Sequence, residues 1–484
     1  MHRALVVSEI LLEIFAYLDP TRLLSWRSKR CLPLAALART CKTFHEPAMD
    51  LLWADVDGME PLLGCVPRLH PLIYRLGIKC CSGWSQGVES LSEHESRQFL
   101  RHAARVRSIS RTYDDGYFHL LTVLRIETCV FPKLRVLDWS NSRDTSLLHL
   151  FMSPTLRHCA LPIFHSDLKS IPTCCPLLEN LSILTPAAHT SDELSLLSDI
   201  IRSCKWLVEL RCPHLDFAAW KHLSNLPTLL TVKIYERDIH PMDWDHLYSA
   251  HFFNLTTLTF CVNTSTDVIT VMQHSEFPSL KEFKMMVNEL PCTGAEQLFH
   301  ALSLCKACKT LQRIEILSYD EGGEDLPWTT VRYLFSFPQL RTMRLSYPIY
   351  LDNDLLLEAM SSWPHIRHLE LENPLPTVTF RGLCAALRIC PHLHTLLLSV
   401  DAVNIDIGSE VESIQHTSLR IWDVDHSYVE DPGSVARIIF SMFPSIDHID
   451  YDSDNRHLWH EVDTNLDEFA ARRSLITEAA AATT

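Results

Sequence analysis

A nine-residue phrase returns along most of this chain and constrains its fold more than any other feature. FPKLRVLDW at 131–139 comes back as SPTLRHCAL (from 153), CPLLENLSI (175), CKWLVELRC (204), LPTLLTVKI (226), FFNLTTLTF (252) and FPSLKEFKM (277). It continues as CKTLQRIEI (308), FPQLRTMRL (337), WPHIRHLEL (363), CPHLHTLLL (390), HTSLRIWDV (416) and FPSIDHIDY (443). The thirteen copies start 22 to 31 residues apart, and counted from zero their positions 3, 6 and 8 are always apolar. Those positions define the alignment, so the head of the phrase is the independent witness. Position 1 is proline in nine of the thirteen, whereas 26 prolines in 484 residues predict about 0.7 by chance. Position 0 is Phe, Cys or Trp in ten. The repeat is real, and a period in this range belongs to stacked arrays in which each unit buries its apolar side against its neighbours.

The phrase specifies a short strand. Positions 6 and 8 alternate, so they bury one face, and position 3 tucks the entering turn beneath it. Proline at position 1 sits outside the ladder, where no N–H is required. The residues between phrases have room for a helix and two loops; DELSLLSDIIRSC reads as an amphipathic helix, with Leu194, Leu197, Ile200 and Ile201 at helical spacing. Strand plus helix at this period resembles the leucine-rich-repeat class. The expected fold is therefore α/β: a curved, irregular solenoid with a parallel sheet over 131–466. Residues 56–130 are expected to be a linker with capping repeats, and 467–484 a C-terminal tail.

Composition excludes several function classes. Lys+Arg 43 against Asp+Glu 59 gives −16, which disfavours nucleic acid or an anionic membrane as partner. No run of about 18 apolar residues is present, and Glu9 and Glu13 interrupt the first apolar run, so neither a span nor a leader is expected. The seventeen cysteines are then expected as reduced thiols in the cytoplasm or nucleus. Twelve glycines leave little material for phosphate-cradling loops.

Residues 1–55 contain none of these phrases. Ser8 is a candidate N-cap, and Glu9–Leu18 reads as a helix stopped by Asp19 and Pro20, with Ile10, Leu11, Leu12, Ile14, Phe15 and Leu18 forming a broad stripe. A second helix is expected over roughly Leu34–Phe44, carrying Leu34, Leu37, Ala38, Cys41 and Phe44. A third carries Met49, Leu51, Leu52 and Trp53. Three short helices this apolar cannot hide all their stripes from one another, so one face must meet the solenoid or another protein.

LVVSEILLEIFAYLDP followed by LAALARTCKTFHEPAMDLLW resembles an F-box, the helical module that docks on the Skp adaptor of SCF-type (Skp–cullin–F-box) ubiquitin ligases. Leu5, Glu9, Ile10, Leu11, Ile14, Phe15 and Leu18 fit its opening pattern; Val6, Val7 and Ser8 stand where that pattern has its proline, and Thr21–Pro33 is long and basic. The chain beyond also resembles a large group of F-box and repeat proteins of mushroom-forming fungi, in which a segment like FLRHAARVRSI leads into the first repeats. The resemblance implies a receptor subunit with no cofactor. Its partners would be a Skp-type adaptor, through it a cullin, and a target protein of unknown identity. The implied adaptor contacts are Leu5, Glu9, Ile10, Leu11, Ile14, Phe15, Leu18, Leu37, Cys41 and Trp53. The alternative is an interaction scaffold whose helices pack back on the solenoid without forming a ligase.

No catalytic constellation emerges. Cys175, Cys204, Cys308 and Cys390 occupy phrase heads and Cys159 and Cys212 occupy strand slots, where a small buried apolar group is wanted. Cys305 and Cys308 lack a second pair at zinc-finger spacing, and HExxH and GxSxG are absent. The reading is a non-enzyme without metal. The basic stretch Arg22–Arg30 reads as a solvated loop, with a weak import signal or a partner contact as the alternative, and the acceptor-like Asn180, Asn254 and Asn263 are discounted.

Positions 5 and 7 point away from the core, onto the concave face where such solenoids bind. Position 7 is basic at Arg211, Lys233, Lys284 and Arg344, then acidic at Glu370, Asp423 and Asp450, with Asp425 and Asp452 two residues beyond the last pair. Residues 401–484 hold five basic and seventeen acidic side chains. Two readings stand: a groove with a basic centre and an acidic end that holds an oppositely charged target, or polar strand positions whose order means nothing.

Overall fold

The structure is a computed structural model. It describes residues 7, 10, 11, 13, 14, 31–74, 85–110, 118–124, 129–139, 148–162, 166–183, 190–235, 250–319, 326–405, 415–424, 426–451 and 456–483. The chain divides into two compact units, Met1–Leu229 and Leu230–Thr484.

Unit 1 begins with helices. Ile10, Leu11, Glu13 and Ile14 are helical; α1 spans Cys31–Ala38 and α2 spans Lys42–Leu52. The second helix expected over Leu34–Phe44 is thus two helices. The backbone breaks at Cys41, which is extended (φ −157, ψ 163), and the chain re-enters helix at Lys42. His45 Nδ1 lies 2.9 Å from the Ala38 carbonyl oxygen and ties the second helix to the end of the first. The break leaves the apolar spacing intact, which is why periodicity reads through it.

Six strands of unit 1 then run parallel in chain order: β1 (Asp55–Asp57), β2 (Ser108–Ser110), β3 (Val136–Asp138), β4 (His158–Leu161), β5 (Asn180–Ile183) and β6 (Glu209–Cys212). Strand β1 thus straddles the expected boundary at 55/56 and β2 lies inside the segment expected as linker and capping repeats, with helix α3 (Glu93–Ala103) leading into β2. Their heads carry Asp50 and Ala103 in place of Phe, Cys or Trp, and no proline follows, so the phrase search passes over them.

Unit 2 continues the pattern with β7 (Thr231–Tyr235), β8 (Thr257–Thr264), β9 (Glu282–Glu289), β10 (Arg313–Ser318), β11 (Thr342–Ser346), β12 (His368–Leu371), β13 (Thr395–Leu397), β14 (Ile421–Asp423) and β15 (His448–Asp450). Each pairs in parallel with the next. All thirteen strands from β3 to β15 begin at position 5 of their phrase. Position 6 is buried in every copy, and positions 3 and 8 in every copy but the last.

Neighbouring repeats are laced by side-chain bonds to backbone. Thr155, Thr228 and Thr310, each at position 2, donate to the position-3 carbonyl of the preceding phrase: Leu134 at 2.8 Å, Leu207 at 2.7 Å and Leu280 at 2.8 Å. Each such bond satisfies a carbonyl that the turn would otherwise leave without a partner. Helix α4 (Pro432–Met442) packs against the final helix α5 (Arg456–Thr483), which buries Trp459, Val462 and Leu466. The expected tail from 467 is thus the second half of a helix that closes the last repeat. No helix among the described residues is long and apolar enough to cross a membrane.

Candidate functional site

The N-terminal stripe divides between core and water. Leu11 is 1% exposed and forms a small core with Leu34, Ala38 and Ala48, against which Leu37, Phe44, Met49, Leu51 and Leu52 pack. Val7, Ile10 and Ile14 remain 43%, 40% and 43% exposed. Ile10 and Ile14 are four apart on one side of the helical residues, and Val7, just ahead of them, extends that apolar line in solvent. Leu11, expected among the adaptor contacts, is placed instead as a packing residue of the module. Leu5, Glu9, Phe15 and Leu18 lie outside the described residues.

The other expected contacts sit lower in the module. Leu37 is half-buried against the core, and Cys41 is half-buried at the break before α2. Trp53 turns toward the first repeat, with its ring centroid 4.7 Å from that of His102 on α3. Beside it, the Arg105 guanidinium donates to the carboxylates of both Glu46 and Asp50 on α2. That pairing holds the Glu46 carboxyl below its ordinary value, chiefly through the Arg105 hydrogen bond. Trp53 thus serves the joint between the helices and the repeats.

On the sheet, position-7 residues fall in one row. In unit 2 the register runs Lys233, Thr259, Lys284, Glu315, Arg344, Glu370, Leu397, Asp423, Asp450. The expected basic centre is internally paired. Lys284 Nζ lies 2.8 Å from Glu315, and Arg344 Nε lies 2.6 Å from Glu370. Arg313 adds a second bond to Glu315 at 3.0 Å. Burial works to raise the Glu315 pKa, but the bonds from Lys284 and Arg313 outweigh it and hold the carboxyl below its ordinary value. In unit 1, Arg211 Nε lies 2.8 Å from Glu209. At the far end Asp423 and Asp450 are register partners, and His448 Nε2 lies 2.8 Å from Asp450. Asp425 and Asp452 are outside the described residues.

The cysteines behave as small apolar groups. Burial pushes the thiols of Cys175, Cys204 and Cys390 up to about 12, and those of Cys159 and Cys212 higher still. Among the described residues no three His, Cys, Asp or Glu side chains gather as a metal site. The strand-facing columns miss one other column, position 4, the residue just ahead of each strand. In unit 2 it reads Arg341, Arg367, His394 and Arg420 on four successive phrases, a run visible once the phrases are aligned.

Compared with known proteins, residues 8–58 match the F-box-like family model. No curated protein matches the sequence. Among solved structures, the chain is similar to an internalin from Listeria monocytogenes, at 14% identity over 73% of this chain and 89% of that one, with a TM-score of 0.35. It is also similar to the Rad7 and Elc1 complex of yeast, at 13% identity over 93% of this chain and 89% of that one, with a TM-score of 0.34. The matched segment holds Ile10 and Ile14 of the exposed line, includes α1 and α2, and ends just past β1. The chain carries an F-box-like domain at residues 8–58, joined to leucine-rich-repeat-like units.

Proposed function

We propose that this protein is a substrate-recognition subunit of an SCF-type ubiquitin ligase. The F-box-like domain docks a Skp-type adaptor, and the repeats hold a target protein. The observation that carries the reading is the exposed line of Val7, Ile10 and Ile14 on a module whose own core is already filled by Leu11, Leu34, Ala38 and Ala48. An apolar helix edge left in water while its neighbour is packed supports a partner with an apolar groove. In this reading the thioester chemistry belongs to other subunits. The chain contributes proximity, the joint at Arg105 and Trp53 fixing how the first repeat sits on the helices.

The test is co-purification of the full chain with the Skp adaptor of its own species, wild type beside Ile10→Glu/Ile14→Glu. The expected result is a stable wild-type complex that the double variant loses while keeping its circular-dichroism spectrum. A well-folded wild type that captures no adaptor would overturn the ligase reading and leave an interaction scaffold.

A further inference from the structure

In unit 2, four successive strands, β11 to β14, are preceded at position 4 by Arg341, Arg367, His394 and Arg420. The position-4 residues are locked into a row by the sheet itself. The Arg367 amide donates to the Arg341 carbonyl at 2.8 Å, His394 to Arg367 at 2.7 Å, and Arg420 to His394 at 2.9 Å. Successive members are therefore one strand spacing apart, and the row from Arg341 to Arg420 runs about 14 Å. Arg341, Arg367 and His394 are exposed.

Their partners separate them from the row at position 7. Arg420 is paired with Asp447 at 3.4 Å, and Arg313, at position 5, with Glu315. The Arg341 and Arg367 side chains have no hydrogen-bond or carboxylate partner among the described residues, in a chain where acids outnumber bases 59 to 43. His365 and His392, at position 2 of the same phrases, are exposed on the same strand-entry edge. His368, the first residue of β12, has its ring centroid 6.3 Å from that of His394. Its pKa is lowered first by burial and then by His394 and Arg313, which places several like charges near one imidazole.

We infer that this edge of unit 2, centred on Arg341, Arg367 and His394, binds an extended acidic peptide segment of the target. The occupant follows from charge complementarity and from shape. Carboxylates spread along a chain match the basic side chains of Arg341, Arg367 and His394, strung over two strand spacings, whereas a single phosphoryl group would engage one adjacent pair. The inference rests on the repeats being the target-binding part of the proposed receptor, and names the chemistry they take.

The experiment uses the full chain and fluorescence anisotropy of labelled octaglutamate, with octaglutamine and a single-phosphoserine peptide in a Gly/Ser background as the other probes. Octaglutamate is expected to bind the wild type, more weakly as salt rises from 50 to 200 mM, and about tenfold more weakly to Arg341→Gln/Arg367→Gln. Arg437→Gln/Arg472→Gln removes the same net charge from helices α4 and α5 and is expected to bind like the wild type. Equal binding of octaglutamine, an unchanged affinity in Arg341→Gln/Arg367→Gln, an equal loss in the helix control, or preference for the phosphoserine peptide would each overturn the inference. Capture of the Skp adaptor is measured on the same proteins. Loss of that capture with peptide binding retained counts against the ligase reading alone.

Discussion

The Arg105 guanidinium reaches back across the chain to Asp50 and clamps helix α2 to the segment that enters β2. Trp53 lies against His102 on the same joint, and the indole N–H and His102 Nδ1 are both buried without a partner among the described residues. Two buried polar atoms are a real cost, so the packing around them must outweigh it. Trp53→Ala is expected to lower unfolding free energy by about 2 kcal/mol, reflecting a half-buried indole, while Trp53→Phe keeps most of the contact. Urea unfolding of the full chain checks this. If Trp53→Ala weakened adaptor capture and left stability unchanged, Trp53 would belong to the docking surface and not to the joint.

Leu11 and Ile10 are chain neighbours with opposite surroundings, so they should respond oppositely. Leu11→Ala opens a cavity in the small core with Leu34 and Ala48 and is expected to cost about 2–4 kcal/mol. Ile10→Ser, at an exposed site, is expected to change stability by less than about 0.5 kcal/mol while weakening adaptor binding. Parallel unfolding and binding titrations separate the two effects.

The strand array was legible because binary alternation survives every irregularity of the phrase. Column 6 holds Leu137, Cys159, Phe283 and Trp422 alike, and all are buried. What escaped depends on information the sequence spreads over distance. The break at Cys41 falls where Leu37, Cys41 and Phe44 keep helical spacing, so nothing local announces it. Strands β1 and β2 lack the aromatic-proline head. The position-7 column from Arg211 to Asp450 looks like a basic centre followed by an acidic end when its signs are read alone. Its neutralising pairs, Lys284 with Glu315 and Arg344 with Glu370, appear only once parallel register sets residues about one repeat apart side by side. The same register gathers Arg341 and Arg367 at the strand starts, where alternation carries no signal. In the module, periodicity identified the stripe of Ile10, Leu11 and Ile14 but not which member faces inward, since that depends on where α1 and α2 lie.

The pairing of Arg68 with Glu95 has a pH signature. Glu95 accepts from Arg68 Nε at 2.9 Å and from the Ser92 amide at 2.8 Å, closing a capping box at the start of α3. The Arg68 bond foremost, with the Ser92 bonds adding to it, holds its pKa at about 2 against an ordinary 4.5. A carboxyl with a depressed folded pKa contributes stability that is complete above its unfolded value and fades as pH falls toward the folded one. Stability is therefore expected to drop between about pH 4.5 and 2, and Glu95→Gln should remove part of that drop while lowering stability at pH 7. Thermal unfolding across pH, wild type beside variant, is the measurement. Parallel curves with no difference in slope would show that this pair carries no linkage.

The C-terminal helix is the last element to test, because an array of repeats needs its end covered. Trp459, Val462 and Leu466 are spaced i, i+3 and i+7 and are all buried; the Trp459 indole N–H donates to the Ser427 carbonyl at 2.9 Å. Phe469 continues the line, its ring centroid 5.7 Å from that of Phe440 on α4. Without α5, the apolar side of the last repeat and the outer face of α4 would be left in water, the condition under which terminal repeats fray or associate. Trp459→Ala is expected to cost about 3 kcal/mol, and a chain ending at 455 to melt earlier and self-associate through the uncovered repeat. Differential scanning calorimetry with light scattering reads both. A truncated chain that melted like the full one and stayed monomeric would mean the last repeat closes itself and α5 is an appendage.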